Sequence, residues 1–309
     1  MAKINFIKFL IDSRTYKKVV LRLDNIHLRH KEVSIYQILK NLVININNDD
    51  ILHKASSVAF SFTLAVFPAI IFLFSLIPYI PIPDIRANIV ELVDEMAMLE
   101  QVSQTINDVI SKPRGDLLSF SVFLSLFLST NGMMELAQTF NKIYKTIDNR
   151  SYWQTRVIAT FLTIILSFVM FISILVLTVG SFALNYMVDN GFLAQNFLFY
   201  SILVLKYSVL FILFLFTISI VYYFAPALHN RWRFISIGSV LATILSILVS
   251  YLFSFYISNF GTYNKLYGSI GAMIAMMVWI YLISIILLIG FEVNASIDQA
   301  AQQREDNKE

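Results

Sequence analysis

The chain has 309 residues, of which 58% are hydrophobic and only 14% charged, whereas a soluble domain carries roughly 25% charged residues. Its net charge of +3 is too small to point to nucleic acid, and the absence of cysteine excludes disulfides, thiolate catalysis and cysteine-ligated metals. With a mean hydropathy of +0.71, the chain reads as an all-α membrane protein rather than a soluble enzyme.

Residues 1–56 hold ten Lys and Arg among Phe, Ile, Leu and Val. This basic segment reads either as one or two amphipathic helices drawn to anionic headgroups or as a solvated arm. The stretch Ile4–Ile11 is short, interrupted by Lys8 and followed by no small-residue cleavage site, so it is not read as a signal peptide.

Crossing the hydrocarbon takes about 20 apolar residues. Five runs meet that need, at residues 57–80, 157–184, 201–224, 235–257 and 270–293. A sixth, 117–138, is weaker because it holds Asn131, Gly132 and Glu135. Pro68 removes a backbone donor inside the first run and predicts a kink there. Between the first two runs, apolar residues recur at helical period over 86–110, from Ile89 to Val109. That pattern predicts an acidic amphipathic helix lying outside the bundle. Residues 294–309 are a polar tail, expected to fray from Asp298.

Lys and Arg decide the orientation, because cytoplasmic loops keep the positive excess. With six spans and both ends inside, eighteen lie in cytoplasmic segments, four lie outside, and Lys206 falls within a span. The sequence therefore predicts a six-helix bundle with cytoplasmic N- and C-termini.

Within the second run, Ser121, Ser125, Ser129, Gly132, Glu135, Thr139 and Lys142 follow at three- or four-residue steps and share one helix face. Such a face turns to the bundle interior or to a water-filled cleft. It serves either as glue between helices or as one wall of a substrate path. Asn131–Gly132 is a place where the helix could loosen. In the fifth run, Gly238, Ala242, Ser246, Ser250, Ser254 and Ser258 recur every fourth residue, the pattern of a close helix-packing seam. Gly268, Gly271 and Ala275 could supply its matching surface. Glu292, between Gly290 and Asn294, reads as a cap, as the partner of a cytoplasmic Arg, or as a functional carboxylate. Of the four histidines, His27 and His30 could share a helix face, but no carboxylate cluster accompanies them. No phosphate loop or nucleophile elbow is present. No catalytic residue, metal or cofactor is expected.

Dispersed residues carry a family resemblance. Leu266-Tyr-Gly-Ser-Ile-Gly-Ala leads into Trp279-Ile-Tyr and then Leu288-Ile-Gly-Phe-Glu-Val-Asn294. With Ala55 to Pro68, Asn141-Lys-Ile-Tyr144 with Arg150, and Tyr222-Tyr-Phe-Ala-Pro226 with Trp232 and Gly238, the chain resembles the YihY/BrkB family of bacterial inner-membrane proteins. Phe291 stands where that family usually has Ala, and Ser56–Ser57 where it prefers Ala. The resemblance implies six spans with both ends inside, an inner-membrane location and a role in moving a lipid or envelope precursor. The family also carries a ribonuclease BN label, but without a metal-ligand set or a basic groove with interleaved aromatics no nuclease activity is expected. The candidate substrate path is Ser125, Ser129, Asn131, Gly132, Glu135, Asn141, Tyr267, Glu292 and Asn294. Membrane lipids are the expected partners. An envelope protein recruited by 86–110 is the alternative, with the chain then a scaffold.

Overall fold

A computed structural model describes residues 27–28, 33–48, 50–75, 115–189, 197–229, 231–259 and 269–306. The segment 86–110 and Tyr267 lie outside these residues. The described chain is helical apart from two short strands, β1 (His27–Leu28) and β2 (Val33–Ser34), paired antiparallel with Leu28 opposite Val33.

Ser34 closes β2 and caps α1 (Ile35–Asn48), its hydroxyl accepting from the Gln37 amide at 3.1 Å. α1 is amphipathic and buries Ile38 with Val33 against Ala300, so this part of the basic segment packs on the protein. Asp50, at φ 46°, turns the chain into α2 (Ile51–Ser75), which continues unbroken through Pro68.

α3 (Gly115–Tyr144) is also unbroken, so Asn131–Gly132 is not a loosened point. Here the side-chain packing overrides the expectation, because a Cβ at Gly132 would lie 2.7 Å from the Phe62 ring of α2. The glycine lets the two helices close together. α3 ends in a Schellman turn, with Lys145 at φ 56° and the Thr146 amide bonded to the Asn141 carbonyl at 3.0 Å.

Ser151 and Gln154 form a reciprocal capping box that starts α4 (Tyr152–Asp189). α5 (Phe197–Phe224) stops just before Pro226, and a second reciprocal cap, Ser236 with Ser239, starts α6 (Ile237–Asn259). α7 (Ser269–Asp306) is helical well past Asp298, where a fraying tail is expected from sequence. Its C-terminal half is held between α1 and the end of α3, which supplies the burial that the polar sequence does not advertise.

Among the described residues, five helices are long and apolar enough to cross a membrane, over Ile51–Ala69, Tyr152–Ser173, Tyr200–Phe224, Ile237–Ile257 and Met273–Asp306. α3 is long enough, at about 45 Å, but is not among the five. Several buried hydroxyls along the bundle return to their own helices. Thr63, Thr163, Thr243 and Ser284 donate to the carbonyl four residues earlier at 2.7–2.8 Å.

The largest buried cluster of the described residues lies where α2, α3, α5 and α7 meet. Phe140 of α3 stacks on Phe291 of α7 at 4.1 Å, and Tyr222 of α5 meets both rings edge-on. Beyond it, α1, the ends of α3 and α7 and the α5–α6 link form a polar cap on one end of the bundle.

Candidate functional site

The exposed face of α3 changes character along its length. Phe123, Leu124, Phe127 and Leu128 are exposed on the N-terminal side, whereas Asn131, Gln138 and Lys142 are exposed toward the cap, with Glu135 half-buried among them. α4 shows the same change in the opposite chain direction. Ser151 to Gln154 are exposed and polar or aromatic, followed by exposed Val157, Phe161, Ile164 and Phe168. Aromatic residues such as Tyr152 and Trp153 mark the headgroup level of a bilayer. The two transitions fall side by side, because Arg156 of α4 reaches α3 there.

Arg156 is 5% exposed. Its Nη1 donates to Asn131 Oδ1 at 2.7 Å and lies 2.8 Å from Met134 Sδ. Nη2 donates to the Phe127 carbonyl at 2.6 Å, and the guanidinium lies 3.7 Å over the Phe127 ring. No carboxylate pairs with it among the described residues, and Nε is buried without an acceptor. In the sequence, Arg156 is one of the eighteen Lys and Arg assigned to cytoplasmic segments. Its position one turn past Tyr152–Trp153, at the mouth of an apolar run, was the available signal.

Toward the cap, Gln138, Asn141, Lys142, Lys145, Thr146 and Asp148 line an open groove of about 420 Å3. Asn141 is buried and acts as a clamp. Its Nδ2 donates to Asp148 Oδ2 and its Oδ1 accepts from the Ala227 amide, both at 2.7 Å. Arg150 holds Asp148 at 2.9 Å and donates to the Ala225 carbonyl at 3.0 Å, which ties the α3–α4 loop to the end of α5. Burial alone pushes the Asp148 carboxyl up. The hydrogen bonds and charge of Arg150 outweigh it and hold the carboxyl below its ordinary range. Tyr144 donates to Asp298 of α7. Burial first, then that carboxylate, pushes the Tyr144 phenol well above its ordinary range.

The other predicted residues lie apart from this groove. Ser125, Ser129 and Gly132 are buried against the bundle, and Ser129 donates to its own helix at the Leu126 carbonyl. Glu292 is 1% exposed and accepts from Asn45 of α1 at 2.6 Å; the same Asn45 amide lies 2.9 Å from Gln299 Oε1. Asn294 Oδ1 accepts from the Gly238 amide, and its Nδ2 donates to Ser236, both at 2.8 Å. The seam Gly238, Ala242 and Ser246 is buried. Ser250 is half-buried and accepts from Trp279 Nε1 at 3.1 Å, and Ser254 is exposed. At its cap end the matching surface is Gly290 and Asn294. Among the described residues no three His, Asp or Glu converge as metal ligands.

Several long apolar helices closed by a polar cap, with an aromatic and cationic boundary between the two, define an integral membrane protein. Residues 42–309 match the family model described as virulence factor BrkB, and the chain belongs to that family. It is 32% identical over 261 residues to the ribonuclease-like protein YfkH of Bacillus subtilis, covering 82% of this chain and 92% of that one. It is also 26% identical over 280 residues to a UPF0761 membrane protein of Psychromonas ingrahamii, covering 88% and 91%. No solved structure matches the chain.

Proposed function

We propose that this chain moves a lipid or lipid-linked envelope precursor between leaflets of the bacterial inner membrane, with α3 as a sixth span and both termini cytoplasmic. One observation carries the reading, namely the exposed face of α3. It offers an apolar surface from Phe123 to Leu128 and then a polar one through Asn131, Glu135, Gln138 and Lys142, running into the groove beside Asp148. An amphiphile needs both surfaces in one continuous path, the first for its chains and the second for its headgroup. Glu135 makes no hydrogen bond or ion pair among the described residues, so its carboxylate is available to a passing headgroup. The Ser125, Ser129 and Gly132 side of the helix instead supports packing against α2.

Reconstitution tests this. Vesicles containing the full chain and a headgroup-labelled phospholipid are treated with a membrane-impermeant quencher. Loss of signal from the inner leaflet should be fast with the wild type and slowed by Glu135→Ala. Equal rates in protein-free vesicles and in both proteoliposomes end the proposal.

A further inference from the structure

Arg156 is a buried guanidinium whose acceptors among the described residues are all neutral. Buried charges are normally paired, because removing them from water is costly. Here the partners are an amide oxygen, a backbone carbonyl, a thioether and an aromatic face, while Nε points to no acceptor among the described residues. Nη1 holds Asn131, Nη2 makes a single hydrogen bond, to the Phe127 carbonyl, and Nε makes none. Once Asn131 Oδ1 leaves, an N–H of Nη1 beside the spare donor of Nη2 gives a guanidinium edge that fits two oxygens of a phosphate or carboxylate. The neighbouring acceptor, Asn131, is exposed, although its amide oxygen is tied to a buried guanidinium. It can therefore swing away and leave a path to the cation from the surface. The level is that of lipid headgroups, one helical turn beyond exposed Tyr152 and Trp153.

We propose that Arg156 and Asn131 form a binding site for the phosphate of a membrane lipid, with Asn131 Oδ1 as the acceptor that the phosphate displaces. This rests on the transport reading above and names the substrate class as a phosphate-bearing lipid. The site supplies the charge, and the apolar face of α3 at Leu124, Phe127 and Leu128 supplies the surface for acyl chains.

The test uses the full delipidated chain in maltoside micelles, with bound lipid counted by native mass spectrometry. The probes are dioctanoyl phosphatidylglycerol, dioctanoylglycerol, which lacks the phosphate, and inorganic phosphate. The phosphatidylglycerol should bind and the other two should not. Asn131→Asp places a carboxylate against Arg156, so this variant should remain folded and weaken phosphatidylglycerol binding by about tenfold or more. Asn131→Ala removes the competing acceptor and should bind at least as tightly as the wild type. Arg156→Lys keeps the charge but loses the fork, and should weaken binding. Equal retention of the lipid with and without phosphate overturns the proposal. So does wild-type affinity in folded Asn131→Asp. Binding of inorganic phosphate as tight as that of the lipid overturns the lipid assignment. The transport assay run on the same variants separates the two claims. Transfer that is unchanged in Asn131→Asp sinks this site and leaves transport standing. A site that binds in a chain that moves no lipid sinks transport alone.

Discussion

Gly238 of α6 and Gly290 of α7 meet backbone to backbone. A Cβ on Gly238 would overlap the Gly290 carbonyl and lie 2.7 Å from the Asn294 side chain, while one on Gly290 would lie 2.5 Å from the Tyr222 hydroxyl. That hydroxyl also donates to the Leu287 carbonyl at 2.7 Å, so three helices converge on the two glycines. Overpacking a core by a methyl group costs typically 1–3 kcal/mol, and the cost rises when the obstacle is backbone rather than a side chain, so about 3 kcal/mol is expected for Gly238→Ala. At Gly180 the nearest atom is the flexible Lys206 Cδ at 3.3 Å, and Gly180→Ala should be tolerated. Thermal unfolding of the two variants in detergent compares them. Similar midpoints would show that α6 and α7 can separate at no cost.

The Asn141 clamp joins segments far apart in sequence, since it accepts from Ala227 and donates to Asp148. Removing one partner of a buried hydrogen bond leaves the other unsatisfied at about 1–3 kcal/mol. Asn141→Ala is expected to lose that much. Asn141→Asp should lose more, because it sets a second carboxylate against Asp148. Chemical unfolding of both, followed by tryptophan fluorescence, checks the order. The reverse order would mean that the Ala227 amide alone accounts for the clamp.

Acid should loosen the same loop. The folded-state pKa of Asp148 lies below its unfolded value of about 3.9, and in the folded state Arg150 favours its ionised form. Its contribution is therefore fully present above about pH 4 and is lost as pH falls through the folded value. Arg150→Gln removes that contribution, so the variant should be less stable than the wild type at neutral pH, and the gap between them should narrow as pH falls from about 4 to 2. Unfolding midpoints measured across that range, wild type against variant, decide it. Parallel curves would remove Asp148 as the cause.

The long apolar runs made the helices legible, because hydropathy over 20 or more residues survives any detail of packing. Among the described residues, five helices meet the length and composition needed to cross a membrane. Of the small-residue period from Gly238, Gly238, Ala242 and Ser246 are buried and Ser254 is exposed, and Gly290 and Asn294 on the opposing helix could be found only in three dimensions. The polar cap was less legible. Residues after Asp298 read as a fraying tail because their partners, Tyr144 at one side and Val33 and Ile38 at another, come from distant segments. Arg156 was legible as a residue and not as a site. A charge beside an apolar run looks like a flank of the span until its neighbours on α3 prove to be neutral.

The docking of α1 on α7 provides a last test. Asn45 is the polar link, its amide nitrogen lying 2.6 Å from Glu292 Oε1 and 2.9 Å from Gln299 Oε1. Glu292 is sealed beneath α1, so loss of Asn45 takes away a hydrogen bond and leaves the carboxyl oxygen short of a partner in a dry place. The apolar contact of Val33 and Ile38 with Ala300 remains, so α1 should stay docked but open more often. Asn45→Ala is expected to raise amide exchange across residues 35–48 by about tenfold, as for a loss of about 1.4 kcal/mol. The helix α2 that follows should change little, since its cap-end residues Ile51, Ala55 and Val58 are buried in the large cluster instead. Exchange measured by mass spectrometry on the full chain in detergent resolves these segments. If α1 and α2 accelerate together, or neither does, the Asn45–Glu292 contact is not what holds α1 in place.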